Sequence, residues 1–419
     1  MRRAWLIAVV LFVGCGTDDP CSGVAGTCVG VPSGSSREAI QQALIDVPVG
    51  GIVAFGAGTF SLQTGLSLDV DDVTLQGAGL DQTILSFKGQ TDGAQGLYVT
   101  ALHGFAMHDL AVEDTKGDGV KVLGTDKVRI ERSRVEWTAG ANVTNGSYGL
   151  YPVQCHDVLL ADNVVKGASD SGVYIGQSNS IEVRGNHVEL NVAGIEIENS
   201  MNADVHDNTA TNNTGGILVF NLPGLQVENG AVTRVFMNQV FSNNTPNFAP
   251  AGNIVGLVPA GTGIAVLAAH QVEIFGNNIH DHDSVNIGVI SYEPTGIPIT
   301  DASYDQFPTA INIHDNTLAG TSNSPTGPLG ALLISALGEI QTNGPYIVPD
   351  IAWDGVLDPA RTAATGSYAD ADRLCITNNG DADFINLAWP LADATKPSTD
   401  LSPMSCTLAP LPSVVIGDL

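Results

Sequence analysis

Basic residues are scarce in this sequence, with 16 Lys and Arg against 44 Asp and Glu in 419 residues and a formal net charge of −28. Binding to nucleic acid through charge needs Lys and Arg beside the phosphates, so this scarcity argues against a nucleic-acid partner. Charged residues of both signs make up only 14% and Gly supplies 48 positions, which disfavours a coiled coil or helix bundle. The hydrophobic fraction of 43% excludes a disordered acidic chain.

Long apolar runs are also missing, because Ala4–Val13 is too short to cross a bilayer. This run follows two arginines and ends just before Cys15, an arrangement that resembles a bacterial lipobox. The resemblance implies a signal peptide at 1–14, a lipid anchor at Cys15 that attaches the chain to a membrane, and a lipidated linker at 15–35. Gly16 after the cysteine implies the outer membrane of the bacterial cell envelope. The alternative is an ordinary signal peptide with an incidental cysteine.

Cysteine is rare, with six residues and no CxxC motif, so a thiolate metal site or a haem attachment has no support. In an exported, oxidising setting the others can form disulfides. Cys21 could pair with Cys28, and Cys375 with Cys406. Cys155 is then left over, and we interpret it as a small buried residue rather than a nucleophile.

Two repeated patterns organise most of the chain. The pattern apolar-x-apolar-x-x-Asn-x-apolar places a column of asparagines at Asn163, Asn186, Asn208, Asn238, Asn277 and Asn316. The pattern Gly-apolar-x-apolar begins at Gly96, Gly119, Gly149, Gly172, Gly194, Gly216 and Gly263. Four of the six spacings between these glycines are 22 or 23 residues. A unit of this length with short period-2 runs predicts an all-β fold, a right-handed parallel β-helix with one unit per coil and the asparagines stacked in a ladder.

The ends of this solenoid are also predicted. Ser36 followed by an amphipathic stretch to Ile45 predicts an N-capped helix that covers the open edge of the first coil. We expect the β-helix at 36–319 and a C-terminal cap or irregular extension at 320–419, where the repeat is lost. Insertions that interrupt the coils are expected at 139–147, 242–262 and 291–308.

The segment from about 36 to 345 resembles the right-handed β-helix family that includes pectate-lyase-like and alginate-epimerase-like proteins. It is most similar to a bacterial lipoprotein subgroup, through the segments 148–153, 170–177, 194–199 and 215–223. Members of that subgroup are often encoded beside a dihaem c-type cytochrome, which implies a cytochrome as a partner. The resemblance implies fold and compartment rather than an activity.

One sheet face carries the residues best suited to chemistry, because equivalent positions of successive coils lie about 4.8 Å apart. The catalytic candidates are Asp170, Tyr174 and Glu196. The substrate-binding candidates are Lys121, Tyr148, Tyr151, Gln177 and Glu198. Tyrosine rings stack on sugars, while carboxyls and phenols can transfer protons in an elimination, an epimerisation or a hydrolysis. The alternative is an ordinary decorated sheet face stabilised by contacts between tyrosines.

These residues favour a polysaccharide-binding protein, with catalysis left open as lyase-, epimerase- or hydrolase-like. The alternative is a non-catalytic module that docks a c-type cytochrome or another envelope protein through its acidic surface. The segment 116–184 carries eight basic and eight acidic residues, so an anionic saccharide could approach there. No cofactor or metal site is identified: calcium at acidic turns such as 69–72 is left open, and we interpret the His280–Asp283 segment as a solvated loop rather than a metal site.

Overall fold

The computed structural model describes residues 19–321, 324–341, 346–390 and 396–417. The predicted signal peptide at 1–14 and the predicted lipidation site Cys15 lie outside the described residues. No helix within the described ranges is long and apolar enough to cross a membrane.

Three parallel sheets, which we call A, B and C, form the predicted right-handed β-helix. The chain passes through a coil in the order C, A, B. Sheet A contains the strands Cys28–Val31, Ile52–Phe55, Val73–Gln76, His103–His108, Asp126–Glu131, His156–Ala161, Asn179–Arg184, Met201–His206, Ala231–Phe236, His270–Phe275, Thr309–His314 and Leu374–Thr377. Sheet B contains Gly58–Ser61, Thr83–Ser86, Ala111–Glu113, Arg134–Glu136, Val164–Lys166, His187–Glu189, Thr209–Thr211, Gln239–Phe241, Asn278–His282 and Thr317–Thr321. Sheet C contains Thr64–Leu68, Asp92–Val99, Asp118–Leu123, Tyr148–Val153, Ser171–Gly176, Ala193–Glu198, Gly215–Phe220, Thr262–Leu267, Val285–Ile290, Ile351–Trp353 and Phe384–Asn386.

The interior is filled by apolar side chains that repeat from coil to coil. In sheet A, Val158 pairs with Ile181 and Ile181 with Ala203, and all three are fully buried. Complete burial of a valine or isoleucine side chain contributes about 1.5–3 kcal/mol. The core therefore consists of columns of apolar side chains, in which equivalent residues of successive coils lie on top of one another.

The predicted asparagine ladder is confirmed at the turn between sheets A and B. From Asn186 onward, each side chain receives hydrogen bonds from the preceding asparagine and donates to a backbone carbonyl; Asn186, for example, donates to Asn208 Oδ1 at 3.0 Å and to the carbonyl of Leu160 at 2.9 Å. Asn379 extends the ladder by one coil beyond Asn316. These amides satisfy buried backbone groups that the turn leaves unpaired.

A second amide ladder, which the sequence patterns did not reveal, follows sheet B. Asn191 donates to Asn213 and Asn213 to Asn243, at 3.0 and 2.9 Å. The next member is His282, whose Nε2 accepts from Asn243 and whose Nδ1 contacts Asn286 at 2.8 Å. The interpretation of 280–283 as a solvated loop is therefore wrong for His282, which is fully buried because it takes an asparagine's place.

The N-terminal end is closed by helix α1, Arg37–Asp46, which confirms the predicted capping helix. Ser36 accepts a hydrogen bond from the amide of Ala39, and Ile40 and Leu44 are buried against the first coils. The Gln41 side chain bonds both the N–H and the carbonyl of Ser67, on the edge strand of sheet C, at 3.0 and 2.8 Å. The helix thus supplies the partner that a further coil would otherwise provide.

The sheets extend beyond both predicted bounds, 36 and 319. Strand Cys28–Val31 begins sheet A within the predicted linker 15–35, and three strands between 351 and 386 continue sheets A and C inside the predicted cap 320–419. These strands pair through backbone hydrogen bonds, which do not require a particular sequence. They can therefore extend the sheets without the repeat patterns. The predicted insertions correspond to connections between strands; a further one, 221–230, was missed.

The remaining elements decorate the coils. Helix α2, Gly327–Ile340, packs on the outer face of sheet C through Leu333 and Leu337. Helix α3 spans Pro359–Thr362, and short 3-10 turns cover Ile254–Leu257, Glu293–Thr295, Asp370–Asp372 and Ser402–Met404.

The cysteines form the two pairs suggested by the sequence. Disulfides join Cys21 to Cys28 and Cys375 to Cys406. Cys155 is a free and buried thiol, and burial raises its pKa to about 11, so it is a poor nucleophile.

Replacing one rung of the first ladder tests its contribution. Asn208→Ala leaves the amide of Asn186 and the carbonyl of Val183 without their partners, so we expect the free energy of unfolding to fall by about 1–3 kcal/mol. Urea denaturation measures the change. Gln239→Ala, at an exposed position of sheet B, is the matched control and should cost less than about 0.5 kcal/mol. Equal effects in the two variants would contradict a structural role for the ladder.

Candidate functional site

The register of sheet C assembles the predicted site residues on its outer face. Lys121 pairs with Tyr98 on one side and Tyr151 on the other, and Tyr174 pairs with Glu196. The column continues through Leu218, so it changes from basic and aromatic to acidic and then to apolar. The predicted site residues Lys121, Tyr151, Tyr174 and Glu196 therefore belong to one column.

Three tyrosines form one aromatic group at the centre of this face. The ring centroids of Tyr148 and Tyr151 are 4.5 Å apart, those of Tyr148 and Tyr174 are 4.5 Å apart, and those of Tyr151 and Tyr174 are 5.0 Å apart. The Lys121 ammonium lies 4.5 Å from the centre of the Tyr151 ring, a cation–π contact. Lys121, Tyr148 and Tyr151 are each partly exposed, and we call these three residues the rim.

Three carboxyl groups lie beside the tyrosines, and we call Asp170, Glu196 and Glu198 the carboxyl cluster. The Tyr174 hydroxyl donates to Glu198 Oε1 at 2.6 Å. The Ser171 hydroxyl lies within hydrogen-bonding distance of Asp170 Oδ1, at 3.1 Å, and also of Glu196 Oε2. Ser171 was missed by the sequence analysis, since a serine at the start of a strand carries no distinctive signal.

The contacts of Ser171 indicate a proton on one carboxyl. A serine hydroxyl carries a single hydrogen, so it can donate to only one of Asp170 and Glu196. The second contact is a hydrogen bond only when that carboxyl is itself protonated and donates to the serine oxygen. The Asp170–Ser171–Glu196 group is therefore satisfied when its two carboxyls hold one proton between them.

Electrostatics favours the same protonation. Burial, opposed by hydrogen bonds from Ser171 and Asn253, raises the pKa of Asp170 to about 6. Burial also raises the pKa of Glu198 to about 7, against the hydrogen bond from Tyr174. Burial and the charges of the other two carboxyls hold the pKa of Glu196 well above its ordinary value.

The tyrosines remain protonated for a related reason. Burial, followed by the charge of Asp118, raises the pKa of Tyr151 to about 12. Burial and the neighbouring carboxyl cluster raise the pKa values of Tyr148 and Tyr174 further. At neutral pH the three phenols are protonated, and that of Tyr174 donates to Glu198.

Four of the predicted site residues are buried on this face. Only 5% of Asp170, 5% of Tyr174, 1% of Glu196 and 7% of Glu198 is exposed. The insertion 242–261 folds back over sheet C, where Val255 and Val258 pack with Leu218 and Phe220, and it covers Asp170. From it, the Asn253 side chain donates to Asp170 Oδ2 at 2.7 Å.

A second insertion, 221–230, covers the adjoining edge. Gln177 Oε1 accepts the amide of Gln226 at 3.0 Å, and Asn199 donates to the carbonyls of Leu222 and Val227 at 2.9 and 3.0 Å. Gln177, a predicted substrate-binding residue, therefore holds this connection in place through its side chain. The structure does not join Gln177 to the rim.

Within the described residues, no group of three His, Cys, Asp or Glu side chains has the geometry to hold a metal ion. The carboxyl cluster is included in this finding.

Comparison with known proteins agrees with the fold. The family described as "Right handed beta helix region" matches residues 95–245, which include the rim and the carboxyl cluster. No curated protein matches the chain.

Similar solved structures include the A-module of mannuronan C-5 epimerase AlgE4 from Azotobacter vinelandii, at 20% identity and a TM-score of 0.49, covering 69% of this chain and 86% of that one. DFA-IIIase from Arthrobacter chlorophenolicus A6 is 11% identical with a TM-score of 0.48, covering 82% of this chain and 97% of that one. Alginate lyase from Paenibacillus sp. str. FPU-7 is 13% identical with a TM-score of 0.38, covering 70% of this chain and 98% of that one. Similarity at this level does not establish an activity.

The raised pKa values predict how stability depends on pH. The folded chain keeps protons on Asp170 and Glu198 up to about pH 6 and 7, whereas the unfolded chain releases them near 3.8 and 4.5. The folded state binds more protons in that window, so the free energy of unfolding should fall as pH rises through it. The expected slope is up to about 1.4 kcal/mol per pH unit for each group.

Urea denaturation between pH 4.5 and 8 measures this slope. Glu198→Gln keeps an acceptor for Tyr174 and removes the titration, so it should flatten the curve. Glu189→Gln is the control, because Lys166 lowers the pKa of Glu189 against the opposing effect of burial. An unchanged slope in Glu198→Gln would show that Glu198 ionises normally.

Proposed function

We propose that this chain binds a polysaccharide on the outer face of sheet C and that Tyr174 and Glu198 transfer protons to and from a bound sugar. The observation that carries the proposal is the 2.6 Å hydrogen bond between these two side chains, beside a partly exposed tyrosine rim. The proposal places this activity in the bacterial cell envelope, with Cys15 as the lipid anchor. A c-type cytochrome partner remains a prediction from the family resemblance.

The rim supplies the binding surface. Tyr148 and Tyr151 lie at a 46° angle with their centroids 4.5 Å apart, so their ring faces and hydroxyls form an uneven surface with both apolar and polar character. Aromatic side chains of this kind combine a large contact area with a hydrogen-bonding group. Lys121 fixes Tyr151 from one side and adds the cationic group of the rim, which suits a sugar that bears hydroxyl or acidic substituents.

The Tyr174–Glu198 pair supplies the chemistry. A carboxyl with a pKa of about 7 is populated in both protonation states near neutral pH, which is the condition for general acid–base catalysis. In an elimination or epimerisation, the Glu198 carboxylate would accept a proton from a ring carbon. The Tyr174 hydroxyl would donate its proton, either to the leaving oxygen as the C–O bond breaks and a C=C bond forms, or back to the carbon. Glu198 would pass the abstracted proton to the Tyr174 oxygen across their hydrogen bond, which restores both groups.

The other two carboxyls support this pair. Tyr174 and Glu198 are about as buried as Asp170, so a sugar on the rim would reach the pair only after the side chains that cover it move. Asp170 and Glu196 share Ser171, and Asp170 also accepts a hydrogen bond from Asn253 of the 242–261 insertion. After the larger effect of burial in each case, the charge of Asp170 raises the pKa of Glu198 and the charge of Glu196 raises the pKa of Tyr174. We therefore assign Asp170 and Glu196 a positioning and electrostatic role, which departs from the sequence prediction of a catalytic role.

Removal of the exposed ring tests binding. Tyr151→Ala should weaken binding to a glycan recognised by the wild type by about tenfold or more, since one stacking contact contributes roughly 1.4 kcal/mol. A glycan array followed by titration calorimetry provides the measurement. Phe241→Ala, which removes an aromatic ring from sheet B, is the control and should bind normally. If the wild type binds no glycan, or both variants bind equally, the rim is not a sugar site.

Removal of the titrating group tests catalysis. Glu198→Gln should lower turnover of a bound polymer by about 10²–10⁴-fold while leaving its affinity nearly unchanged. Activity is measured as depolymerisation and as deuterium incorporation into the sugar ring in heavy water. Glu189→Gln should retain activity. A glycan-binding wild type with neither activity would limit the function to binding.

A further inference from the structure

The end of the described chain lies along the outer face of sheet A, away from the rim. The Cys375–Cys406 disulfide fixes the start of this segment to the last strand of the sheet. From there residues 407–417 pass back over earlier coils as far as Asp157. We call these residues the C-terminal segment.

Backbone amides of the C-terminal segment meet carboxylates of the sheet at every third residue. The amide of Leu411 donates to Glu273 at 3.0 Å, and that of Val414 donates to Asp204 at 3.1 Å. The amide of Gly417 is 3.4 Å from Asp157. The Arg129 guanidinium donates to the carbonyl of Gly417 at the end of the series.

The spacing of these contacts matches that of the coils. Asp204 and Glu273 lie two coils apart, separated by Arg234 in the same outward column. Two coils span about 9.6 Å, and three residues of an extended polyproline II segment span about 9.3 Å. A segment in this conformation therefore presents the same side to the sheet at every second coil.

The acceptors are held ready by other side chains of the sheet. The Arg234 guanidinium donates to both oxygens of Asp204, at 2.7 and 2.5 Å. His314 contacts one oxygen of Glu273 at 3.1 Å and leaves the other for the amide of Leu411. Both carboxylates are buried, and without the segment Glu273 Oε2 would lose its hydrogen bond from Leu411, whereas Asp204 would keep its pair with Arg234.

The sequence of the segment fits this arrangement. It contains no charged residue between 407 and 417. Its two prolines, Pro410 and Pro412, stand at exposed positions where no amide hydrogen is needed. Leu411 and Val414, which must donate, are only partly exposed, whereas 83% of Val415 is exposed.

We propose that the outer face of sheet A is a peptide-binding groove that recognises an extended, uncharged segment with a free amide at every third residue. Its ligand in this protein is the chain's own C-terminal segment. The disulfide at Cys406 keeps the segment close to the groove and so favours this intramolecular ligand over one from another molecule.

Emptying the groove in the full-length chain tests the proposal. Leu411→Pro with Val414→Pro removes two donating amides, and Ser413→Pro with Val415→Pro introduces the same number of prolines at exposed positions. The probe is a fluorescein-labelled peptide with the sequence of residues 407–417, followed by fluorescence anisotropy. The first variant should bind it at least tenfold more tightly than the wild type or the second variant. Equal binding by all three, or none by a folded first variant, would overturn the proposal.

Hydrogen exchange of the unmodified chain gives a test that does not depend on variants. The amides of Leu411 and Val414 should exchange at least tenfold more slowly than those of Ser413 and Val415, after correction for their intrinsic rates. Equal protection at the four positions would show that the groove does not hold the segment through these amides.

Discussion

Stacking at a fixed register is the constraint on which the rest of this structure depends. Each coil lies about 4.8 Å from the next, so every residue meets its equivalents above and below. An apolar position therefore becomes a buried column, as Val158, Ile181 and Ala203 show. An asparagine becomes a ladder in which each amide satisfies its neighbour, as at Asn186 and Asn208.

The same constraint creates a problem wherever charges repeat, and the two outer faces solve it differently. On sheet A, Arg234 stands between Asp204 and Glu273, so opposite charges alternate and the remaining acceptors bind backbone amides. On sheet C, Glu196 stands directly beside Tyr174, and the charges that act on it are those of two other acids, Asp170 and Glu198. Protons and the Tyr174 hydroxyl compensate these acids, and carboxyls with raised pKa values of this kind are candidates for proton transfer.

The fold could be predicted in detail because stacked coils require the same residue types at equivalent positions. The glycine and asparagine patterns that result define the coil length, the ladder and the sheet face that carries Tyr151 and Tyr174. Closure of that face could not be predicted. It depends on where the insertions 221–230 and 242–261 fold, and a contact such as Asn253 to Asp170 joins residues with no shared repeat. The added strands near 351–386 could not be predicted either, because they pair through the backbone and carry no repeat pattern.

Carbon-13 NMR of labelled Asp and Glu carboxyls reports directly whether the carboxyl cluster holds protons near neutral pH. We expect Asp170 to titrate near pH 6 and Glu198 near pH 7, with Glu196 still protonated above its ordinary range. Ionisation of all three groups below about pH 4.5 would contradict this expectation.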